Sequence, residues 1–150
     1  MSRFWRNWMT VWCLAVGVFG IVLAGAGFNV TGSPARLLMR VLNGGAEVDF
    51  NAPLRFSIAL MGCVTLGWSL TLLVTTQVAH QLGDRGRTVW LGLTASVASW
   101  FMIDSLMSIV TGFGLNALSN LVFAAAFLLP IVRSGVLRNP SDAAQALANA

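Results

Sequence analysis

Five side chains in the second half of the chain have the types and spacing to do chemistry together. Trp100, Asp104 and Ser108 recur every fourth residue, as do Asn116 and Asn120. Four residues is close to one helical turn, so each set lies along one helix face. Thr111-Gly112-Phe113-Gly114 lies between the sets and carries the glycines of a tight turn. If the two helices fold back on each other there, Asp104 comes level with Asn120, and Ser108 with Asn116. The expected result is two hydrogen-bonded rungs. A carboxyl beside two carboxamides, a hydroxyl and an indole could line a small polar pocket for a cation, a proton or a polar headgroup. It could equally be a structural hydrogen-bond cluster.

Other chemistry is poorly supplied. His80 is the sole histidine, and it falls on the opposite side of the membrane from Asp104 in the topology below. No Ser-His-Asp set can form across a bilayer. A bis-histidine haem would need a second histidine. Glu47, Asp49 and Asn51 alternate before Pro53 but lack the further oxygen ligands of a calcium loop, so they read as a solvated loop. Cys13 and Cys63 fall at different depths, too far apart to bridge, and read as small packing residues. The expectation is a chain with no catalytic residue, metal or cofactor.

The elements that position Asp104 follow from the composition. Of 150 residues, 57% are hydrophobic and 9% charged, whereas soluble domains carry about 25% charged residues. Mean hydropathy is +0.78. All nine basic residues are arginine, and they cluster. Arg6 to Arg36 and Arg55 to His80 enclose no ionisable residue; Arg87 to Arg133 enclose one, Asp104. A bilayer core of about 30 Å takes about 20 apolar helical residues. The first two stretches each fit one span and the third fits two. The predicted fold is all-α: a four-helix transmembrane bundle forming a single integral membrane domain, with spans at about 8–29, 55–78, 89–110 and 114–133. The runs lack the alternation of a membrane β-barrel. A cleaved leader in place of the first span would leave three.

Arginine counting orients the chain. Six arginines (3, 6, 85, 87, 133 and 138) fall on the side of the termini and three (36, 40 and 55) on the other. Both termini, including the tail 134–150, are therefore expected in the cytoplasm. The positive charge is a topology signal and not a nucleic-acid footprint. Arg3 and Arg6 beside Trp5, Trp8 and Trp12 read as an interfacial anchor. In the outer loop 30–54, Ser33-Pro34 opens and Gly44 closes a short amphipathic helix with Leu37, Leu38, Val41 and Leu42 on one side. It is expected outside the cytoplasm, either on the membrane surface or as a cap over the bundle mouth.

Small residues mark helix faces that meet. Cys13, Gly17, Gly20, Ala24 and Gly27 recur at steps of 4, 3, 4 and 3; Ala59, Cys63, Gly67, Thr71 and Thr75 recur every fourth residue. Both seams are expected to face protein, either each other or a neighbouring subunit.

Asp104 is the costly residue. An ionisable group at membrane depth costs roughly 2.5–3.5 kcal/mol on insertion scales. Six residues from the helix end, at about 1.5 Å each, put it about 10 Å deep. Arg55, or Arg36 and Arg40 folding inward, are the only cations with any reach towards it.

The run Gly67-Trp68, then Trp100-Phe101-x-x-Asp104-Ser105-x-x-Ser108, Gly112-x-x-x-Asn116-x-x-x-Asn120 and Leu129-Pro130 resembles small uncharacterised four-helix bacterial inner-membrane proteins. The resemblance implies a compact bundle in that membrane and brings no catalytic residue. Arginine without lysine also suits a GC-rich bacterial genome. The expected role is non-enzymatic, accessory or structural, acting through helix contacts. The partners would be the lipid bilayer and either further copies or a larger membrane complex. The alternative is a small carrier or ligand-binding bundle with an outward-facing pocket of Asp104, Ser108, Asn116, Asn120 and Trp100.

Overall fold

The computed structural model describes residues 1–138; the tail that follows lies outside the described residues. The described chain is all-helical: α1 (Arg3–Ala24), α2 (Ser33–Leu42), α3 (Ala52–Gln81), α4 (Arg87–Val110) and α5 (Gly114–Ser134). Two 3-10 turns, Gly25–Gly27 and Gly83–Gly86, extend α1 and join α3 to α4. The four long helices are long and apolar enough to cross a membrane. At about 1.5 Å per residue, α3 is about 45 Å long and exceeds a hydrocarbon core of about 30 Å.

Local sequence sets the boundaries. Asn51 caps α3, its Oδ1 accepting the Leu54 amide at 3.1 Å, and Pro53 sits in the first turn where no N–H is missed. Between α4 and α5, Phe113 N–H donates to Ser108 O and Gly112 N–H to Ile109 O. This 6→1 and 5→2 pair is a Schellman ending. Gly112 adopts φ +87° there, a conformation that a Cβ would strain. The turn thus falls where the glycines place it.

α1 packs chiefly on α3, and α4 on α5. The α1–α3 contact is a close approach of backbones. A Cβ placed on Gly62 would overlap Ala24 N and Gly20 O, and one on Gly20 would lie 2.7 Å from Leu66 N. Gly17 leaves room for Ser69, whose buried Oγ donates to Cys13 O at 2.8 Å. The α1 seam therefore faces α3, with Cys13, Gly17 and Gly20 buried and Ala24 half-buried, while Gly27 in the following 3-10 turn is exposed.

The α3 seam is placed differently from the expectation. Ala59 reaches the interface, with its Cβ 3.4 Å from where a Gly27 Cβ would stand. Cys63, Gly67 and Thr71 are exposed, and nothing approaches a Cβ at Gly67 within 4 Å. The buried face instead runs through Ile58, Gly62, Ser69, Leu72, Thr76 and Ala79. Steps of four advance 400° around a helix with 100° per residue, so such a stripe drifts about 40° per step. Five positions sweep too far round to stay on one face. The alternating 4 and 3 steps of α1 average 3.5 and hold their face.

One core cluster joins Met9, Trp12, Cys13 and Val16 of α1 to Leu72 and Ala79 of α3, Trp90, Leu93 and Val97 of α4, and Phe127 and Ile131 of α5. A second gathers Leu23, Ala26, Ala35 and Ile58, so α2 rests on the end of α1 and start of α3. Leu37 and Val41 of α2 remain exposed while Leu38 packs. The apolar side chains expected on one side of α2 are thus divided between packed and free surfaces.

Candidate functional site

The α4–α5 hairpin brings Trp100, Asp104, Ser108, Asn116 and Asn120 into one hydrogen-bonded cluster. Asp104 Oδ1 accepts from Asn116 Nδ2 at 2.9 Å, Asn120 Nδ2 at 3.1 Å and Ser108 Oγ at 3.2 Å. Its Oδ2 accepts from Trp100 Nε1 at 3.1 Å. The second amide hydrogen of Asn116 goes to Ser108 Oγ at 2.8 Å, and Asn120 also reaches Ser105 Oγ at 3.4 Å. Ser108 Oγ further approaches Asp104 O at 2.7 Å. Both expected rungs are present, Asp104 with Asn120 and Ser108 with Asn116. Asn116 also bridges diagonally to Asp104. Ser96, a turn before Trp100 on the same stripe, is exposed and takes no part.

Asn120 and Ser108 are 5% and 6% exposed, while Trp100, Asp104 and Asn116 are half-buried. Trp100 also faces Trp68 of α3, with ring centroids 5.6 Å apart, so the cluster is buttressed from the neighbouring hairpin. In each of the four contacts that reach its side chain, the Asp104 carboxyl group is the acceptor. Amide, indole and hydroxyl dipoles converge on it without a cation.

The three cations with reach are engaged elsewhere. Arg55 donates to Ala26 O at 3.1 Å and Gly27 O at 2.9 Å, which ties the end of α1 to the start of α3. Arg36 stacks over Phe50 at 5.0 Å, and Arg40 lies 3.5 Å from Glu47. These attachments hold each guanidinium near its own loop.

This arrangement suits clasping two helices better than attacking a substrate. A general base must present a lone pair to the proton it removes, and Asp104 directs both oxygens to donors of its own hairpin. No group of three His, Cys, Asp or Glu side chains that could hold a metal ion occurs among the described residues. Two surface cavities, of about 470 and 230 Å³, lie away from Asp104 on α1 and its neighbours.

Several positioning contacts went unforeseen in the sequence. Trp8 and Trp12, read as interfacial anchors, donate their indole N–H groups to Ala126 O at 2.8 Å and Phe123 O at 3.0 Å of α5. Trp12 is buried, with its ring 5.1 Å from that of Phe127. Pro130 was the available signal: a proline within a helix frees the carbonyl four residues earlier, which here is Ala126 O. Arg87 similarly donates to Leu137 O at 2.9 Å and ties the segment after α5 to α4.

No family model, curated protein or solved structure matches the chain.

Proposed function

We propose that this chain is a non-enzymatic multi-pass membrane protein, accessory or structural, that acts through helix contacts with further copies or a larger complex. The four long helices form one transmembrane bundle in a bacterial inner membrane. Both termini are cytoplasmic, and α2 lies at the outer surface. The observation that carries this reading is the engagement of Asp104. The ionisable group placed deepest in the apolar sequence is held by four donor side chains of its own hairpin. Polar groups satisfied in this way stabilise a helix pair by about 0.6–2 kcal/mol per bond. They leave the outward faces apolar, as at Ile103, Leu106, Leu118 and Val122. Such faces suit lipid and other helices. The arginine distribution supports the orientation.

Photo-crosslinking from Ile103 and Leu118 in native membranes tests the reading. A discrete adduct, with a second copy or with one stoichiometric protein, is the expected result. Adducts with lipid alone from both positions would overturn it.

A small carrier or ligand-binding bundle is the second reading. It is favoured by the Oδ1 atoms of Asn116 and Asn120, which accept no hydrogen bond among the described residues and remain free for a ligand beside Ser108 and Trp100. A flux into sealed vesicles that disappears in Asp104→Asn, with the fold intact, would select it.

A further inference from the structure

The smaller cavity lies at the opposite end of the molecule from the Asp104 cluster, between the first turns of α1 and the last turns of α3. It holds about 230 Å³ and is lined by polar side chains, including Arg6, Asn7, Gln77, His80 and Gln81. At about 30 Å³ per water in the liquid, that is room for several waters or for a tetrahedral oxyanion with part of its hydration. Two threonines also line it. Both are turned to their own helices, Thr10 Oγ1 to Arg6 O at 3.2 Å and Thr76 Oγ1 to Leu73 O at 2.9 Å. The other polar side chains are uncommitted. Those of Arg6, Asn7, Gln77 and Gln81 are exposed and make no hydrogen bond among the described residues; His80 Nε2 alone is buried without a partner there.

The chemistry of this lining is one-sided. Among the described residues it contains a guanidinium, three carboxamides and an imidazole, and no carboxylate. Buried polar nitrogen left unpaired costs free energy comparable to a lost hydrogen bond. Donors converging from two helices around a cation suit an anion with several oxygens. Arg3 and Arg6 open α1 at this end of the molecule, and arginine suits the anionic headgroups of a membrane surface. We propose that this cavity is a phosphate-binding site, with Arg6 as the charge partner and Gln77, Gln81, Asn7 and His80 as further hydrogen-bonding groups. The phosphate is carried by a lipid headgroup or is the free anion.

The test is native mass spectrometry of the full chain in detergent, titrated with phosphatidylglycerol, with diacylglycerol of the same tails, and with inorganic phosphate as competitor. The wild type should retain phosphatidylglycerol over diacylglycerol. Arg6→Gln should weaken that binding about fivefold, the effect of about one basic side chain near a charged headgroup. Gln77→Leu, which leaves the charge unchanged, should weaken it as well. Arg85→Gln, which removes an arginine of the same end outside the cavity, should leave it intact. Circular dichroism checks that each variant is folded. Displacement by inorganic phosphate assigns the site to the free anion; persistence assigns it to the lipid headgroup. Equal losses in Arg6→Gln and Arg85→Gln would reduce the effect to bulk surface charge and overturn the proposal. So would binding indifferent to both Arg6 and Gln77, or no binding of either phosphate source.

Discussion

Trp8 supplies the hydrogen bond that Pro130 withholds. Pro130 has no N–H to offer Ala126 O one turn earlier in α5, and the indole of Trp8 donates to that carbonyl at 2.8 Å. In lipid no water can take over the task, so an orphaned carbonyl is costly. Trp8→Phe should therefore destabilise the fold by about 1–2 kcal/mol in detergent unfolding. In a Pro130→Ala background the helix regains its own donor, and the same substitution should cost less than half as much. A double-mutant cycle measures the difference. Additive effects would show that the two residues are uncoupled.

Gly62 and Gly67 provide a matched contrast. A methyl at Gly62 collides with the backbone of α1, whereas at Gly67 it meets open space. Gly62→Ala should cost about 1–3 kcal/mol, typical of overpacking. Gly67→Ala should stay within about 0.5 kcal/mol of the parent. Unfolding midpoints of the two variants in one detergent decide the matter.

That contrast also marks where the sequence was legible. The four long helices and the glycine turn at 111–113 could be read because charge-free runs and turn residues act locally. The α1 seam was legible because its 3.5-residue period holds one face. The α3 seam was misread because a strict four-residue period rotates off its face, which hid Gly62 and Ser69. The Asp104 rungs were legible because a hairpin fixes depth by counting from its turn. The indole bonds of Trp8 and Trp12 were not, since they join residues more than 100 apart in the chain, and local spacing does not determine which helices become neighbours.

Asp104→Asn replaces an acceptor oxygen with a donor among Trp100, Ser108, Asn116 and Asn120. The variant should fold but unfold more readily, by about 1–2 kcal/mol. Asn120→Ala should lose a similar amount, and the two changes together should cost less than their sum. Independent effects in equilibrium unfolding would argue against a shared cluster.

Cys63 is exposed on α3 and Cys13 is buried between α1 and α3. A small membrane-permeant maleimide should modify the folded protein at Cys63 alone. Cys63→Ser should remain unlabelled until the chain is denatured, and Cys13→Ser should label like the parent. Rapid labelling at Cys13 in the folded chain would contradict the α1–α3 packing.

The indole ties from α1 to α5 bear on how the molecule is made. Synthesis releases α1 first and α5 last, so two of the polar handles on the leading segment must wait for most of the protein to emerge before they meet their carbonyls. Until then the earlier helices form an open arc whose free margin ends in unmatched tryptophans, and arrival of the final segment closes the ring. A ribosome stalled before residue 123 would withhold both carbonyl acceptors and leave that arc open.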